Sequence, residues 1–244
     1  MITIHKELKN YFLFNNLNDY ELNTLPYKIA IECDKRTFFQ CYISLIRIKN
    51  LLIFSFCPLK DYNIRIVKIC LFFLSFVIYF IMNTLFFTKA TIHKIYIDGG
   101  KYNLSYALPR IIVCFIISYI ISGLIKYISL SERYILEVKY EETYKKADDK
   151  ADKVKKCFII KNSCFFILSI IFLILFWYYL SSFCAVYQNS QIYLIENTLI
   201  CFGISFLFPF IYYLIPIILR ICSLKKRNKS MEFIYRISLI IQFI

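Results

Sequence analysis

An all-α membrane protein with four transmembrane helices is the fold class this sequence predicts. Three observations predict it. Four long apolar stretches lie at 66–87, 111–130, 163–186 and 199–219. Each has about the 17–25 residues that carry a helix across a hydrocarbon core of roughly 30 Å. The chain is 59% hydrophobic with mean hydropathy +0.59, too apolar for an ordinary soluble domain. Its basic residues alternate from one side of the stretches to the other. Residues 1–68 hold 10 Lys and Arg, 88–110 hold 4, 126–161 hold 10, 181–198 hold none, and 6 follow from Arg220. Cytoplasmic loops carry the excess of Lys and Arg, so both termini and the middle connection are expected inside, with 26 of the 30 cations.

The expected organisation has three parts: a cytoplasmic arm over 1–65, the four-helix region over 66–222, and a basic cluster with a C-terminal interfacial helix over 223–244. No secretory signal is expected at the start. His5, Lys6, Glu7 and Lys9 are followed by a short apolar run and then Asn-rich residues, not by the basic, apolar, small-residue order of a signal. Residues 38–56 are apolar but carry Arg47 and Lys49. A central cation costs about 2.5–3.5 kcal/mol on insertion scales, so an in-plane helix with snorkelling cations is expected rather than a fifth span. Pro58 and the turn residues Lys60-Asp61-Tyr62-Asn63 close it.

The connection 88–108 contains Asp98-Gly99-Gly100, a turn signal. Asn103-Leu104-Ser105 matches the glycosylation pattern but lies a few residues from the next span. Residues 131–156 are dense in charge without Gly or Pro. Tyr144, Ala147, Ala151, Val154 and Phe158 step by 3, 4, 3 and 4, a seam on one helix face. The third helix is therefore expected to begin near Thr143 and run unbroken into the membrane, with Tyr134, Ile135 and Val138 as partner face. A solvated charged loop is the alternative.

Trp177-Tyr178-Tyr179 near the outer end of the third span reads as an interfacial anchor. The uncharged run 183–190 is expected to re-enter or lie flat on the outer leaflet. Pro209 and Pro216, seven apart, share a face of the fourth span and permit kinks. They support either a broken helix at a transport site or simple packing geometry. Lys225-Lys226-Arg227-Asn228-Lys229 is a stop signal that also attracts anionic lipid. Residues 233–244, with Arg236 among them, are too short to span.

Chemistry is sparse. The ten cysteines form no CxxC, disulfide framework or zinc pattern. Cys70, Cys114, Cys164, Cys184 and Cys201 fall in apolar stretches, where cysteine behaves as a small apolar residue. Cys33, Cys41, Cys57, Cys157 and Cys222 fall on the expected cytoplasmic side, and Cys57 and Cys222 are palmitoylation candidates. His93 with Asp98 makes neither a metal site nor an acid–base pair. No Walker A loop, dinucleotide fingerprint, GxSxG or HExxH occurs. Asp and Glu are missing from mid-span, where proton and cation paths place them. Asn83, Lys68, Arg110 and Lys126 sit near span ends, within snorkelling reach, and Glu196 is a lone outer carboxylate. No catalytic, cofactor or metal residue is expected. A net charge of +14 on such a chain favours anionic lipid over nucleic acid.

Several short motifs occur together. They are Asp19-Tyr20-Glu21-Leu22-Asn23, Asp34-Lys35-Arg36-Thr37-Phe38-Phe39-Gln40-Cys41-Tyr42, Lys60-Asp61-Tyr62-Asn63, Asn83-Thr84-Leu85-Phe86-Phe87, Thr91-Ile92-His93-Lys94-Ile95-Tyr96, Leu130-Ser131-Glu132-Arg133, and Phe176-Trp177-Tyr178-Tyr179-Leu180 with 183–191. With them the chain resembles an abundant, uncharacterised family of multi-pass membrane proteins from single-celled eukaryotes, often the C-terminal membrane regions of longer chains. The resemblance covers 19–244. It implies a membrane location and a shortened copy of a longer protein, and it implies no activity, ligand or catalytic residue. The expected function is a structural or anchoring membrane module acting through self-association or a membrane-protein partner. The alternative is a small transport or channel-type subunit.

Overall fold

The computed structural model describes residues 17–99, 101–141, 143–226 and 229–243. The described residues are 85% helical and hold no strand, and four helices among them are long and apolar enough to cross a membrane. It divides into two compact units. One takes the described residues up to Asp61 and those from Leu207 onward; the other is Tyr62–Phe206. In the first unit the amino-terminal arm packs on the chain's last helices.

In the first unit, α1 (Asp19–Thr24) opens with a capping box: Asn18 Oδ1 accepts from Glu21 N, and Glu21 Oε2 accepts from Asn18 N. Helix α2 (Tyr27–Cys33) follows Pro26. A second capping box, Thr37 with Gln40, starts α3 (Phe38–Lys49). The single helix expected over 38–56 is two. Asn50 ends α3 and caps α4 (Leu51–Phe56), its Oδ1 accepting from Leu52 N at 3.1 Å and Ile53 N at 3.3 Å. A side chain that satisfies the next helix's amides competes with continuing the first. Cys41, Leu45 and Ile46 of α3 bury against Tyr213 and Ile217.

In the second unit, α5 (Arg65–Leu85) is the first apolar helix. The outer connection holds a helix of its own, α6 (Lys89–Ile97), capped by Thr88. Gly99, at φ +61°, makes the turn expected there. Helix α7 (Leu104–Ser129) begins seven residues before the expected second span, capped by Asn103, whose Oδ1 accepts from Tyr106 N. Helix α8 (Glu132–Lys139) is separate from it. Asn63 secures this junction, accepting from Ser131 N and donating to Glu132 Oε2 at 2.8 Å.

Helix α9 (Tyr144–Val186) is one 43-residue helix with Thr143 at its N-cap, as its spacing predicts. At 1.5 Å per residue it runs about 65 Å. Ala147, Ala151, Val154 and Phe158 are half-buried along the expected seam, and Tyr134 meets Phe158 edge-on at 6.1 Å. Tyr144 leaves the seam, 89% exposed. Lys161 Nζ caps the end of α7 through the Leu130 carbonyl at 2.7 Å. Only 6% of the apolar window of α9 is buried, against half of that of α5.

The run 183–190 does not form a separate outer segment. Its first residues complete α9, and a single 3₁₀ turn (Gln188–Ser190) leads into α10 (Gln191–Tyr212). The fourth apolar stretch is broken at Tyr213, where α11 (Leu214–Lys226) begins. Pro216 supplies no amide for the Tyr212 carbonyl and crowds it, so the helix resets there. Helix α12 (Lys229–Phe243) starts four residues before the expected terminal helix and packs on α11. Of the basic cluster, Lys225 and Lys226 end α11 and Lys229 starts α12; 227 and 228 lie outside the described residues, as do His5 and the rest of 1–16, most of the stretch read for a signal.

Candidate functional site

Each unit holds a buried polar cluster, and the two differ in how their hydrogen bonds close. In the first unit the centre is Arg220 of α11, whose side chain is fully buried. Its Nη2 donates to Asp34 Oδ2 at 2.8 Å and to the Leu22 carbonyl at 2.6 Å. Its Nε reaches Asp34 Oδ2 at 3.2 Å, and Nη1 reaches the Asn23 carbonyl at 2.9 Å. The guanidinium carbon stands 5.1 Å from the Tyr235 ring centre.

Asp34 also takes Arg36 Nε on Oδ1 at 2.8 Å and Arg36 Nη2 on Oδ2 at 3.0 Å. Arg36 continues to Ser44 Oγ and Asn23 Oδ1, and Asn23 Nδ2 closes the ring on Ser44 Oγ at 3.1 Å. Burial by itself raises the Asp34 carboxyl; the Arg36 and Arg220 guanidiniums overcome this and hold it below the usual carboxylate range. Burial pushes the Tyr235 hydroxyl up to about 12 against the lowering pull of Arg220, and it donates to the Leu25 carbonyl at 2.7 Å. A carboxylate 186 residues away from its arginine thus ties α1, α2 and α3 to α11 and α12.

In the second unit the polar groups form a ladder along one face each of α5, α7 and α10. At one end Arg110 lies 4.4 Å from the Phe87 ring and 5.4 Å from the Tyr193 ring. The buried Asn197 carboxamide bridges Arg110 and Tyr102, with its oxygen turned to the guanidinium and its nitrogen 2.6 Å from the Tyr102 hydroxyl. Arg110 is therefore held by rings and an amide rather than snorkelling. Burial pushes the Tyr102 hydroxyl up to about 12.

One turn inward, Cys201 Sγ stands 3.5 Å from the Ile111 carbonyl and 3.8 Å from Asn83 Oδ1, while Cys114 Sγ donates to the Met82 carbonyl at 3.5 Å. These two buried cysteines serve as weak donors as well as small apolar groups. The Met82–Cys114 contact sets the antiparallel register of α5 and α7. A further turn in, Ser118 shares a level with Tyr79, and Ser205 of α10 lies beside Tyr79. Beyond them Ser122 comes to the level of Ser75. Lys68 and Lys126 belong to the opposite end, and Glu132 joins them through the Asn63 junction.

The middle of the ladder is not closed. Ser118 Oγ and Ser122 Oγ are buried with no protein hydrogen-bond partner. Tyr79 is 1% exposed and Ser118 0%. Ser205 donates to the Phe202 carbonyl at 2.5 Å, and its oxygen accepts from Tyr79 beside it. Other helical hydroxyls bond back one turn, as Ser129 does to Ile125 and Thr198 to Leu194. A ring stack of Phe72, Phe76, Tyr79, Phe202 and Phe206 lines the same level.

Residues singled out from the sequence fall mostly elsewhere. His93 is exposed on α6, and Asp98 follows that helix's last turn. Among the described residues no group of three or more His, Cys, Asp or Glu is placed to hold a metal. Cys57 and Cys222 are exposed free thiols. Asn103 is exposed but spends its oxygen on the α7 cap. Glu196 is half-buried, and Trp177 and Tyr178 are exposed at 69% and 77%. Pro209 and Pro216 are buried in the first unit. Neither cluster stood out in the sequence, although the four-residue spacing of Arg110, Cys114, Ser118 and Ser122, and of Asn197, Cys201 and Ser205, was available there. No protein-family model, curated protein or solved structure matches the chain.

Proposed function

We propose that this chain is a multi-pass integral membrane protein with both termini cytoplasmic, acting as a structural or anchoring module. The observation that carries this reading is α9. A helix of about 65 Å exceeds a hydrocarbon core of roughly 30 Å by more than 30 Å, and its first half is charged while its second half is apolar. Such a helix presents a rigid charged stalk on the cytoplasmic side, with Trp177 and Tyr178 at the opposite headgroup layer. The apolar half, almost wholly exposed within the chain, faces lipid or the helix of another membrane protein, a second copy included. Lys225, Lys226 and Lys229 add attraction for anionic lipid at the cytoplasmic face.

The test is purification of the tagged chain in nanodiscs, with co-purifying proteins identified against an unrelated four-span control. A partner lost on deleting 144–156 supports the anchoring role; unchanged recovery of every partner after that deletion removes it.

A small transport or channel-type subunit is the second reading, favoured by the open hydroxyls of the ladder. Reconstituted flux equal to that of empty vesicles counts against it.

A further inference from the structure

We propose that the first unit is sunk into the inner leaflet of the bilayer, with α3 and α12 lying among lipid acyl chains beside the second half of the fourth apolar stretch. The proposal rests on the integral-membrane reading and its orientation. Sequence alone puts both helices at the membrane surface; their contacts put them deeper.

Depth follows from what the two helices bind. Tyr42 of α3 donates to the Phe210 carbonyl at 2.7 Å, and Lys49 at the end of that helix stands 5.6 Å from the Tyr213 ring centre. Cys41, Leu45 and Ile46 bury with Tyr213 and Ile217. These partners all precede Arg220, the first charge after the apolar run. At 1.5 Å per residue, Ile217 lies roughly 5 Å and Phe210 roughly 15 Å back along the helical path from it. A helix in the interface plane buries its apolar face about 5–10 Å deep, so contacts over Phe210–Ile217 carry α3 below the headgroups. Helix α12 turns back beside α11. Its Tyr235 ring centre lies 5.1 Å from the Arg220 guanidinium carbon, and its Ile241 carbonyl accepts from Tyr212 Oη at 3.4 Å. It therefore returns from the level of Arg220 to that of Tyr212, re-entering the layer that α11 leaves.

The faces left uncovered have the chemistry of that layer. Phe39, 72% exposed, and Ile43 lie one turn apart on α3. Ile215 and Ile218 on α11, and Phe233 and Ile240 on α12, are exposed as well, Ile240 at 62%. Apolar stripes on three helices of one unit are more than a water-facing surface leaves open. Cations stand at their edges. Arg47 follows Ile43 by one turn on α3, and Lys225 and Lys226 end α11, all three exposed. Their long stems reach from an apolar layer to the phosphates, and their charge matches anionic headgroups. The closure of Arg220 fits the same setting. An arginine beside water has its donors met by water; one held away from it must be met by protein, as Asp34, Leu22 and Asn23 meet Arg220.

The experiment places single tryptophans in the full chain in nanodiscs and compares phosphatidylcholine brominated on its acyl chains with the unbrominated lipid. Trp177, the chain's one tryptophan, is first changed to Phe. Ile174→Trp on α9 then serves as the bilayer reference and Tyr144→Trp as the water reference. Phe39→Trp and Ile240→Trp report on α3 and α12. All four positions are exposed, so the new ring enters no core. Brominated lipid is expected to remove as large a share of the emission from Phe39→Trp and Ile240→Trp as from Ile174→Trp, and none from Tyr144→Trp. Quenching of Ile174→Trp without quenching of Phe39→Trp overturns the proposal for α3, and without quenching of Ile240→Trp overturns it for α12; the membrane reading then stands. An unquenched Ile174→Trp removes the membrane reading, and the proposal with it.

Discussion

The two buried polar clusters solve the same problem in opposite ways. Around Arg220 the donors and acceptors close on one another: guanidinium, carboxylate, amide, hydroxyl and two backbone carbonyls. In the α5–α7–α10 ladder the Ser118 and Ser122 hydroxyls are buried and left open. Removing a member of the first should cost stability, because each loss strands a buried charge. Removing a member of the second should cost little or gain stability, because the group contributes no bond within the protein. The contrast separates a cluster that holds a fold from one that does not.

The comparison breaks most directly at Asp34. Asp34→Ala leaves Arg220 and Arg36 buried without their carboxylate and should destabilise the protein by about 3–5 kcal/mol in denaturant unfolding. A cost below about 1 kcal/mol would mean that the cluster relaxes into water. The same carboxylate sets an acid limit. Its folded pKa lies below the unfolded value of about 3.9, so its stabilisation is complete above that value and is lost as pH falls through the folded pKa. Acid unfolding of Asp34→Asn should lack that component.

Ser118→Ala should raise stability by about 1 kcal/mol, the reverse of Asp34→Ala in sign. A clear loss would mean that Oγ has a partner within the protein. Asn50→Ala should cost about 1 kcal/mol by removing the α4 cap, and should let α3 and α4 merge, visible as added helicity by circular dichroism. A pH effect concerns Lys49, 5.6 Å from the Tyr213 ring centre. Burial lowers its ammonium to about 8, whereas an unfolded lysine titrates near 10.4. The unfolded state therefore binds more protons between these values, and stability should rise from about pH 8 to about 10.4. Lys49→Met should flatten that rise.

Much of this architecture was legible along the chain. The apolar runs located the four long helices, and the 3-4 spacing from Ala147 to Phe158 located the start of α9 to within a residue. The helix break at Asn50 was not read, although a capping Asn stands there, while Pro216 marked the fourth stretch for a kink without placing the break at Tyr213. A break depends on whether neighbours reward the interruption, and those neighbours are distant in the chain. The ladder had a visible four-residue spacing, yet Ser, Cys and Asn at that spacing also occur on helices that bond back to themselves.

Sequence alone determined what depends on local composition: all-helical structure, four helices of bilayer length, and the charge asymmetry behind the proposed orientation. These follow from side-chain hydrophobicity and from the need of each backbone to satisfy itself within one helix. Tertiary structure decided what depends on partners far apart. Arg220 reads in the chain as the first charge after an apolar run, and only folding across 186 residues makes it the centre of a closed ion cluster. Ser118 reads as one more small residue in α7, and only the packing of α5 and α10 against it leaves its hydroxyl buried and open. Burial and hydrogen-bond closure are properties of the assembled neighbours, and no single stretch of sequence carries them.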